Sequence, residues 1–183
     1  MKSLRIISGS LGGRQFHSPG THRTHPMSDK MRGAMFNILG DITDLTILDA
    51  FGGSGALGFE ALSRGAGKVV VIEVDKPAHS IIAKNIELLG IHPHHAQSIN
   101  ASAHAWLRTN PEAQFDIVLC DPPYNDLQPT VLARLAEHVA QQGTFVLSYP
   151  GSQEAPQFEG LKNVKHQAYG DSQLVFYKRA ADY

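Results

Sequence analysis

The chain has 183 residues, a net charge of −1 and an ordinary globular composition, with 42% hydrophobic and 18% charged residues. That length fits one domain with a complete core, and no apolar run approaches the roughly 18–20 residues that cross a bilayer. The single cysteine, Cys120, excludes an internal disulfide and a metal site built from several cysteines. The first residues lack the apolar core of a secretory signal, so we expect a cytoplasmic protein.

The charges are distributed unevenly along the chain. Residues 1–32 hold six lysines and arginines against one acid, whereas the remainder holds ten basic and sixteen acidic side chains. A basic arm on an acidic body is a plausible footprint for a polyanion such as RNA. A solvated arm explains the same charges equally well, because six charges over 32 residues is a modest density.

The element pattern changes after the first forty residues. Glycines break the opening segment into a predicted short hairpin, and a helix then begins at Ser28 or Asp29 and runs to about Leu39. From Leu45 onward, strand-like runs alternate with helix-like stretches. We predict strands at 45–51, 68–72, 94–99, 115–120 and 143–148, helices at 56–64, 76–89, 101–109 and 128–141, and a final hairpin of 165–169 and 173–178. This order predicts an α/β fold with a seven-stranded, mainly parallel sheet, helices on both faces and a C-terminal antiparallel hairpin.

The most informative segment is the turn Asp121-Pro122-Pro123-Tyr124, which directly follows the strand 115–120. Neither proline has an amide hydrogen and both fix φ near ~−65°, so they end the strand and stiffen the turn. In open α/β sheets, ligands bind at the carboxyl ends of the strands. A carboxylate, proline carbonyls and an aromatic ring suit the recognition of a flat heterocycle that carries an exocyclic amine. A plain Pro-Pro turn is the alternative for this segment taken alone.

A second site is predicted at the glycine-rich loop after the first strand of the sheet. Residues 53–58, Gly-Ser-Gly-Ala-Leu-Gly, match G-x-G-x-x-G, and Glu73 lies where it can accept hydrogen bonds from both hydroxyls of a ribose. The pattern indicates a nucleoside-type cofactor without separating a dinucleotide from S-adenosylmethionine. Asp49 favours S-adenosylmethionine, because a carboxylate repels a pyrophosphate and attracts an ammonium or sulfonium group. Asp49 could also brace the loop amides.

Together the two sites predict methyl transfer to an amine. Asp121 and the Pro122 carbonyl can accept hydrogen bonds from the N–H groups of an exocyclic amine. The nitrogen can then direct its lone pair at a methyl group, while the carboxylate stabilises the positive charge that develops on the nitrogen. Tyr124 would stack on a base flipped out of a structured nucleic acid. Two other chemistries are disfavoured. Cys120 is expected to be a buried inert thiol, and the cluster His92-Pro93-His94-His95 lacks cysteine or carboxylate partners for a metal.

With the segments 48–58, 72–75 and 121–124 in this order, the chain resembles a class I methyltransferase of Rossmann-like fold. More narrowly, it resembles the bacterial RsmD family, which methylates guanine N2 in small-subunit (16S) ribosomal RNA. The resemblance also includes the opening residues, the segment 26–39 and Tyr169-Gly170-Asp171, and so covers nearly the whole chain. It implies S-adenosylmethionine as cofactor, residues 1–40 as a basic RNA-binding extension with a short hairpin and helix, and residues 41–183 as the methyltransferase domain.

The resemblance also assigns roles to single residues. The predicted cofactor site comprises residues of the glycine loop and of three strand ends: Asp49, Phe51, Gly53, Ser54, Gly55, Glu73, Val74, Asn100 and Ala101. The predicted catalytic residues are Asp121, Pro122 and Tyr124, with Pro123 beside them in the substrate site. RNA would be contacted, or the site closed, by Arg5, Arg14, Arg32 and His25, the last of which stands where the family has an arginine.

Two other activities stay open at this point. Asp-Pro-Pro-Tyr would serve adenine N6 in DNA or RNA as well as guanine N2, and NAD-dependent oxidoreductases share the glycine pattern. Against the first, the chain has no room for a separate sequence-reading domain. Against the second, no Tyr/Lys or His/Asp pair lies in a fitting place. We expect a monomer that acts on 16S rRNA within a small ribosomal subunit or an assembly intermediate, with no metal and no membrane partner.

Overall fold

The computed structural model describes residues 3–20 and 27–180. The described chain opens with an antiparallel hairpin of two short strands, β1 (Ser3–Arg5) and β2 (Gln15–His17). Helix α1 (Asp29–Leu39) follows, and Ser28 caps it because the serine hydroxyl accepts a hydrogen bond from the Met31 amide. The hairpin and the cap predicted for this part of the chain are therefore confirmed.

Seven further strands form one sheet. They are β3 (Thr46–Asp49), β4 (Lys68–Glu73), β5 (Ala96–Asn100), β6 (Phe115–Cys120), β7 (Val139–Pro150), β8 (Leu161–Tyr169) and β9 (Ser172–Arg179). The helices between them are α2 (Ala56–Ser63), α3 (Lys76–Leu88), α4 (Ala103–Thr109) and α5 (Pro129–Glu137). No helix in the described part of the chain is both long and apolar enough to span a bilayer.

The strand order, β5-β4-β3-β6-β7-β9-β8, determines where a ligand can bind. Strands β3 to β7 run parallel to their neighbours, whereas β9 is inserted antiparallel between β7 and β8. The chain first builds outward from β3 through β4 to β5 and then returns to the other side of β3 with β6. Such a reversal opens a crevice at the carboxyl ends of the two central strands. The prediction of a seven-stranded, mainly parallel sheet with a C-terminal antiparallel hairpin is confirmed.

Alternate residues along the strands face two separate hydrophobic layers. One layer lies against α1, α2 and α3 and includes Ile47, Val71 and Leu119. The other lies against α4 and α5 and includes Leu48 and Val118. The helices therefore cover both faces of the sheet, as the sequence predicts.

The N-terminal hairpin and α1 pack on the first of these layers. Ile6, Phe16 and Met35 are fully buried in the same cluster as the sheet residues. The ring of Phe16 meets the ring of Phe59 on α2 edge-on, with 5.2 Å between the ring centroids. The described residues before β3 thus share one core with the sheet.

One predicted helix has the wrong length. The helix predicted over 128–141 ends at Glu137, and the next strand begins at Val139 rather than at 143. Val139 pairs with Phe115 of β6, and Gln142 takes a positive φ of 62° where the register between the two strands shifts. Pairing with the neighbouring strand decides the state of this segment, because its sequence, Val-Ala-Gln-Gln, contains no residue that stops a helix.

Candidate active site

Three carboxylates converge at the carboxyl edge of the sheet. Asp49, Glu73 and Asp121 each come two residues after an apolar side chain that faces the same core layer, namely Ile47, Val71 and Leu119 respectively. Side chains two residues apart on a strand point to the same face. The register places Asp49 opposite Val71 on β4 and opposite Leu119 on β6. Asp49 and Glu73 are the last residues of β3 and β4, and Asp121 directly follows β6, so the three acids lie at the carboxyl ends of three adjacent parallel strands. We call Asp49, Glu73 and Asp121 the carboxylate edge.

Asp49 is the most unusual member of this edge. It is fully buried, and neither of its carboxylate oxygens has a hydrogen-bond partner. Burial, together with the negative charges of Asp121 and Glu73, raises the pKa of Asp49 to about 7. The backbone amides of Gly58 and Phe51 offset part of that rise, although neither reaches hydrogen-bond geometry with the carboxylate. A cation seated beside the edge would meet negative charge with unused acceptor capacity.

The glycine loop lies directly beside Asp49 and is held close to the sheet. Gly55 adopts a left-handed φ of 79° and is the N-cap of α2. A β-carbon there would come within 2.7 Å of the Phe59 ring, and one at Gly52 within 2.4 Å of the Val71 side chain. Only glycine fits both positions without a shift of the neighbours. The loop therefore brings its backbone, with Gly53 and the buried Ser54, against the end of β3.

Glu73 connects the loop to the end of β4. Its Oε2 accepts a hydrogen bond of 2.6 Å from the Gly53 amide, and its Oε1 accepts one of 2.7 Å from the Asp75 amide. A carboxylate has about four lone-pair sites, so two acceptor sites stay available for further donors such as ribose hydroxyls. These two hydrogen bonds hold the Glu73 carboxylate beside the glycine loop, although Glu73 comes twenty residues after Gly53 in the sequence.

The backbone after β4 is held by residues at the end of β5. Asn100 donates from Nδ2 to the carbonyls of Glu73, at 2.9 Å, and of Val74, at 3.1 Å, and the Ala101 amide donates to the Glu73 carbonyl. The Val74 side chain is 67% exposed beside this clasp. An exposed apolar side chain next to a ribose-type acid offers a surface on which a flat base can rest. Phe51, which follows β3, is half-buried against the opposite core layer.

The turn after β6 carries the predicted catalytic residues. Asp121 is half-buried and Pro122 buried, whereas Pro123 and Tyr124 are exposed, the latter by 38%. Burial raises the pKa of Asp121 to about 6, and the neighbouring Ser148 hydroxyl offsets part of the rise. The Tyr124 hydroxyl lies 2.8 Å from Oγ of Ser148. Sequence reasoning missed Ser148, although the spacing of two along β7 puts it after Val146 on the face of the carboxylate edge.

The arginines predicted to contact RNA have three different environments. Arg32 is only 1% exposed, and its guanidinium donates to Asp29 and to the backbone carbonyls of Arg5 and Met27. The substrate-binding role predicted for Arg32 is therefore wrong, because α1 packing leaves its charged group inside the protein. It belongs to an ionic cluster of Asp29, Arg32, Glu60 and Arg64, which we call the brace and in which only Arg32 and Glu60 are fully buried.

Arg14 and Arg5 stay nearer the surface. Arg14 donates to the carbonyls of Leu88 and Leu89, at 3.0 and 2.7 Å, and so caps the C-terminal end of α3. The Arg5 side chain is 67% exposed and pairs with Asp29 at 2.9 Å. Contact between these two arginines and RNA stays a prediction, and His25 lies outside the described residues.

The two disfavoured chemistries can be compared with the geometry. Cys120 is buried on the sheet face opposite the carboxylate edge, and burial, followed by the charges of Asp49 and Asp121, raises the pKa of its thiol. A thiol in that position does not supply a thiolate nucleophile. Within residues 3–20 and 27–180, no three His, Cys, Asp or Glu side chains are grouped so as to hold a metal ion.

Comparison with known proteins places this arrangement in a family. The family model "Conserved hypothetical protein 95" matches residues 4–178. Ribosomal RNA small subunit methyltransferase D of Haemophilus influenzae is 36% identical over 139 residues, 74% of this chain and 72% of its own. YlbH of Bacillus subtilis, a proposed rRNA methyltransferase, is 31% identical over 96% of this chain and 99% of its own.

Solved structures agree with these relatives. The structure of yhhF from Escherichia coli, a proposed methyltransferase, superposes with a TM-score of 0.88 at 28% identity and covers 99% of this chain and 100% of its own. The strand order, glycine loop and carboxylate edge define a protein of the S-adenosylmethionine-dependent methyltransferase class. Within that class, the chain belongs to the conserved hypothetical protein 95 family, which includes the RsmD methyltransferases.

Proposed function

We propose that this protein transfers a methyl group from S-adenosylmethionine to the exocyclic N2 amine of a guanine in 16S ribosomal RNA. The observation that carries the proposal is the position of Asp121, at the end of β6 and on the same face as Asp49 and Glu73. This position supports the proposal, because a carboxylate that binds the amine there would lie beside a cofactor-type site. The likeness to small-subunit rRNA methyltransferases favours ribosomal RNA over other substrates.

The residues at the carboxylate edge fit this cofactor. Asp49 has two buried oxygens without partners, and an ammonium or sulfonium cation would satisfy them and stabilise the ionised form. Glu73 has acceptor capacity for two ribose hydroxyls, and Val74 offers an apolar surface to an adenine ring. When bound, S-adenosylmethionine would supply an electrophilic methyl carbon and, with its methyl–sulfur bond broken, would leave as S-adenosylhomocysteine. A nicotinamide dinucleotide would bring a pyrophosphate toward the Asp49 carboxylate, so the geometry and the family both disfavour an oxidoreductase.

The turn after β6 would hold the target base. Asp121 and the Pro122 carbonyl would accept hydrogen bonds from the two N–H groups of the guanine amine. The nitrogen lone pair would then point toward the methyl group of the cofactor. The Asp121 carboxylate would stabilise the positive charge that develops on the nitrogen as it bonds to the methyl carbon, and would take the N–H proton that the amine must lose. Tyr124 stacks on the base, which is flipped out of its helix. Holding the two reactants in line supplies much of the rate.

The test is methyl transfer from labelled S-adenosylmethionine to small-subunit particles, naked 16S rRNA and DNA, followed by identification of the modified nucleoside by mass. The proposal expects N2-methylguanosine from one of the two RNA substrates. Methyladenine as the only product would replace it with the adenine-N6 alternative, which Asp121-Pro122-Pro123-Tyr124 would also serve. Calorimetry with S-adenosylmethionine and NAD separates the two cofactors, and tighter binding of NAD would overturn the methyltransferase assignment.

A further inference from the structure

Tyr124 is attached to the interior of the protein by its hydroxyl. Its ring is 38% exposed on the turn, whereas Ser148, whose Oγ lies 2.8 Å from the tyrosine hydroxyl, is only 2% exposed near the end of β7. A surface ring held at its far end by a buried group has fewer orientations than a free one. The hydrogen bond therefore orders the ring that the proposed function assigns to base stacking.

The same serine lies beside Asp121. Cys120, the last residue of β6, pairs with Leu147 of β7, so Asp121, which directly follows β6, and Ser148 of β7 occupy the next matching positions. The Ser148 hydroxyl also lowers the pKa of Asp121 against the rise that burial causes. A serine hydroxyl has one hydrogen to donate and two lone pairs, so it can donate to the Asp121 carboxylate while it accepts from the Tyr124 hydroxyl.

We propose that Ser148 is the positioning residue of this site, because its buried hydroxyl joins the Tyr124 ring to the Asp121 carboxylate across two neighbouring strands. The inference rests on the proposed function and adds to it. One hydroxyl orders the stacking ring and orients the carboxylate that receives the amine. The two halves of the base-binding site are thereby held in one hydrogen-bonded chain, Tyr124 to Ser148 to Asp121.

Other groups also act on Asp121 and belong in the design of the test. Asp49, on the neighbouring β3, is coupled to it by charge, and so is the Cys120 thiol on its own strand. Neither is altered by a change at Ser148. A matched control is available on the same strand, because Thr144 is a buried hydroxyl residue that pairs with Ile117, several residues from the turn.

The decisive measurement is the pKa of Asp121 in the cofactor-free protein, followed by carboxyl ¹³C NMR and assigned with Asp121→Asn. Loss of a hydrogen bond to a charged carboxylate raises its pKa by about one unit. We expect that rise in Ser148→Ala, recovery toward the wild-type value in Ser148→Thr, and no change in Thr144→Val. An unchanged Asp121 pKa in Ser148→Ala would overturn the inference.

Methyl-transfer kinetics provide the second readout. The acid limb of the rate should move to higher pH in Ser148→Ala by the same interval as the pKa of Asp121, because the carboxylate form is the active one. Tyr124→Phe should raise the KM for RNA several-fold more than it lowers kcat, and adding Ser148→Ala to it should leave KM unchanged. An additive effect on KM would contradict the shared chain. If the NMR shift appears in a protein that methylates no nucleic acid, the proposed function fails while the hydrogen-bonded chain stands.

Discussion

The carboxylate edge and the brace both bury charge, but they treat it in opposite ways. Asp49 has no hydrogen-bond partner for either oxygen. Glu60 of the brace accepts hydrogen bonds from the amides of Ile7 and Ser8 and from Arg64, and it lies 3.8 Å from Nε of Arg32. A buried charge without partners is costly, and a fold keeps it where a ligand completes it. A buried charge with many partners holds chain segments together.

This difference separates function from architecture within one core. The brace joins the described N-terminal segment to α2, because Glu60 binds the amides after β1 while Arg32 binds the carbonyl of Arg5. The Asp49 carboxylate, in contrast, holds no chain segments together, because neither of its oxygens accepts a hydrogen bond. We therefore expect changes at the edge to affect ligand binding and catalysis, and changes in the brace to affect stability.

The largest expected effect is on catalysis. Asp121→Ala should lower the rate of methyl transfer about 10²- to 10⁴-fold, because it removes the group that receives the amine and its developing charge. Calorimetry should find S-adenosylmethionine affinity nearly unchanged. Asp126→Ala removes an exposed carboxylate from the same turn region and serves as the control. Near wild-type activity in Asp121→Ala would remove Asp121 from the mechanism.

The brace provides the largest expected effect on stability. Glu60→Gln should lower the free energy of unfolding by about 1.5–3 kcal/mol, because a neutral amide replaces the buried charged acceptor of the Ile7, Ser8 and Arg64 hydrogen bonds. Arg32 keeps its ion pair with Asp29 in this variant. Urea denaturation measures the change, with the exposed Glu87→Gln on α3 as control. A loss as small as that of the control would mean that the brace does not stabilise the fold, and the contrast between the two regions would fail.

Asp49 should give stability an unusual dependence on pH. Its pKa is about 7 in the folded protein and near 4 in an unfolded chain, so the folded state holds the proton more tightly between these values. The stability that the neutral acid contributes is present below pH ~4 and is lost as pH rises through about 7.

Asp49→Asn is neutral at every pH and should escape this loss. Relative to wild type, its free energy of unfolding should rise by up to about 1.4 kcal/mol for each pH unit from pH 4 to 7 and then level off. Urea titrations of both proteins at one-unit pH steps measure the gap. A constant gap would show that Asp49 stays ionised throughout and has a partner.

The amount that sequence could predict differs between the two regions. Asp49 and Glu73 end an apolar strand and Asp121 directly follows one, and period-two alternation predicts the face on which they lie. Strand ends and faces are local properties, so the edge could be predicted. The boundary between α5 and β7 could not, because pairing of Val139 with β6 decides it.

Contacts between residues that are distant in sequence explain what sequence reasoning missed, whereas the error at Arg32 has a local cause. Glu60 meets the Ile7 amide across 53 residues, and Tyr124 meets Ser148 across 24. A basic residue in a basic segment looks like an RNA contact, yet Arg32 sits on the buried face of α1. Its burial follows from the helical spacing of Met31, Arg32, Met35 and Phe36, a pattern that the sequence did contain.

The smallest expected effect tests the basic surface. Arg5→Gln should weaken RNA binding a few-fold and reduce the slope of log K against log salt by about 0.7–0.9, because one exposed cation no longer releases a counterion. Lys68→Gln removes a positive charge at the amino-terminal end of β4, whereas the carboxylate edge lies at the carboxyl ends of the strands. This control should leave the salt slope unchanged. Equal slopes in all three proteins would show that RNA does not reach Arg5. Stability of Arg5→Gln should stay within about 0.5 kcal/mol of wild type, because Asp29 keeps its bond to Arg32 and the exposed pair is solvent-screened.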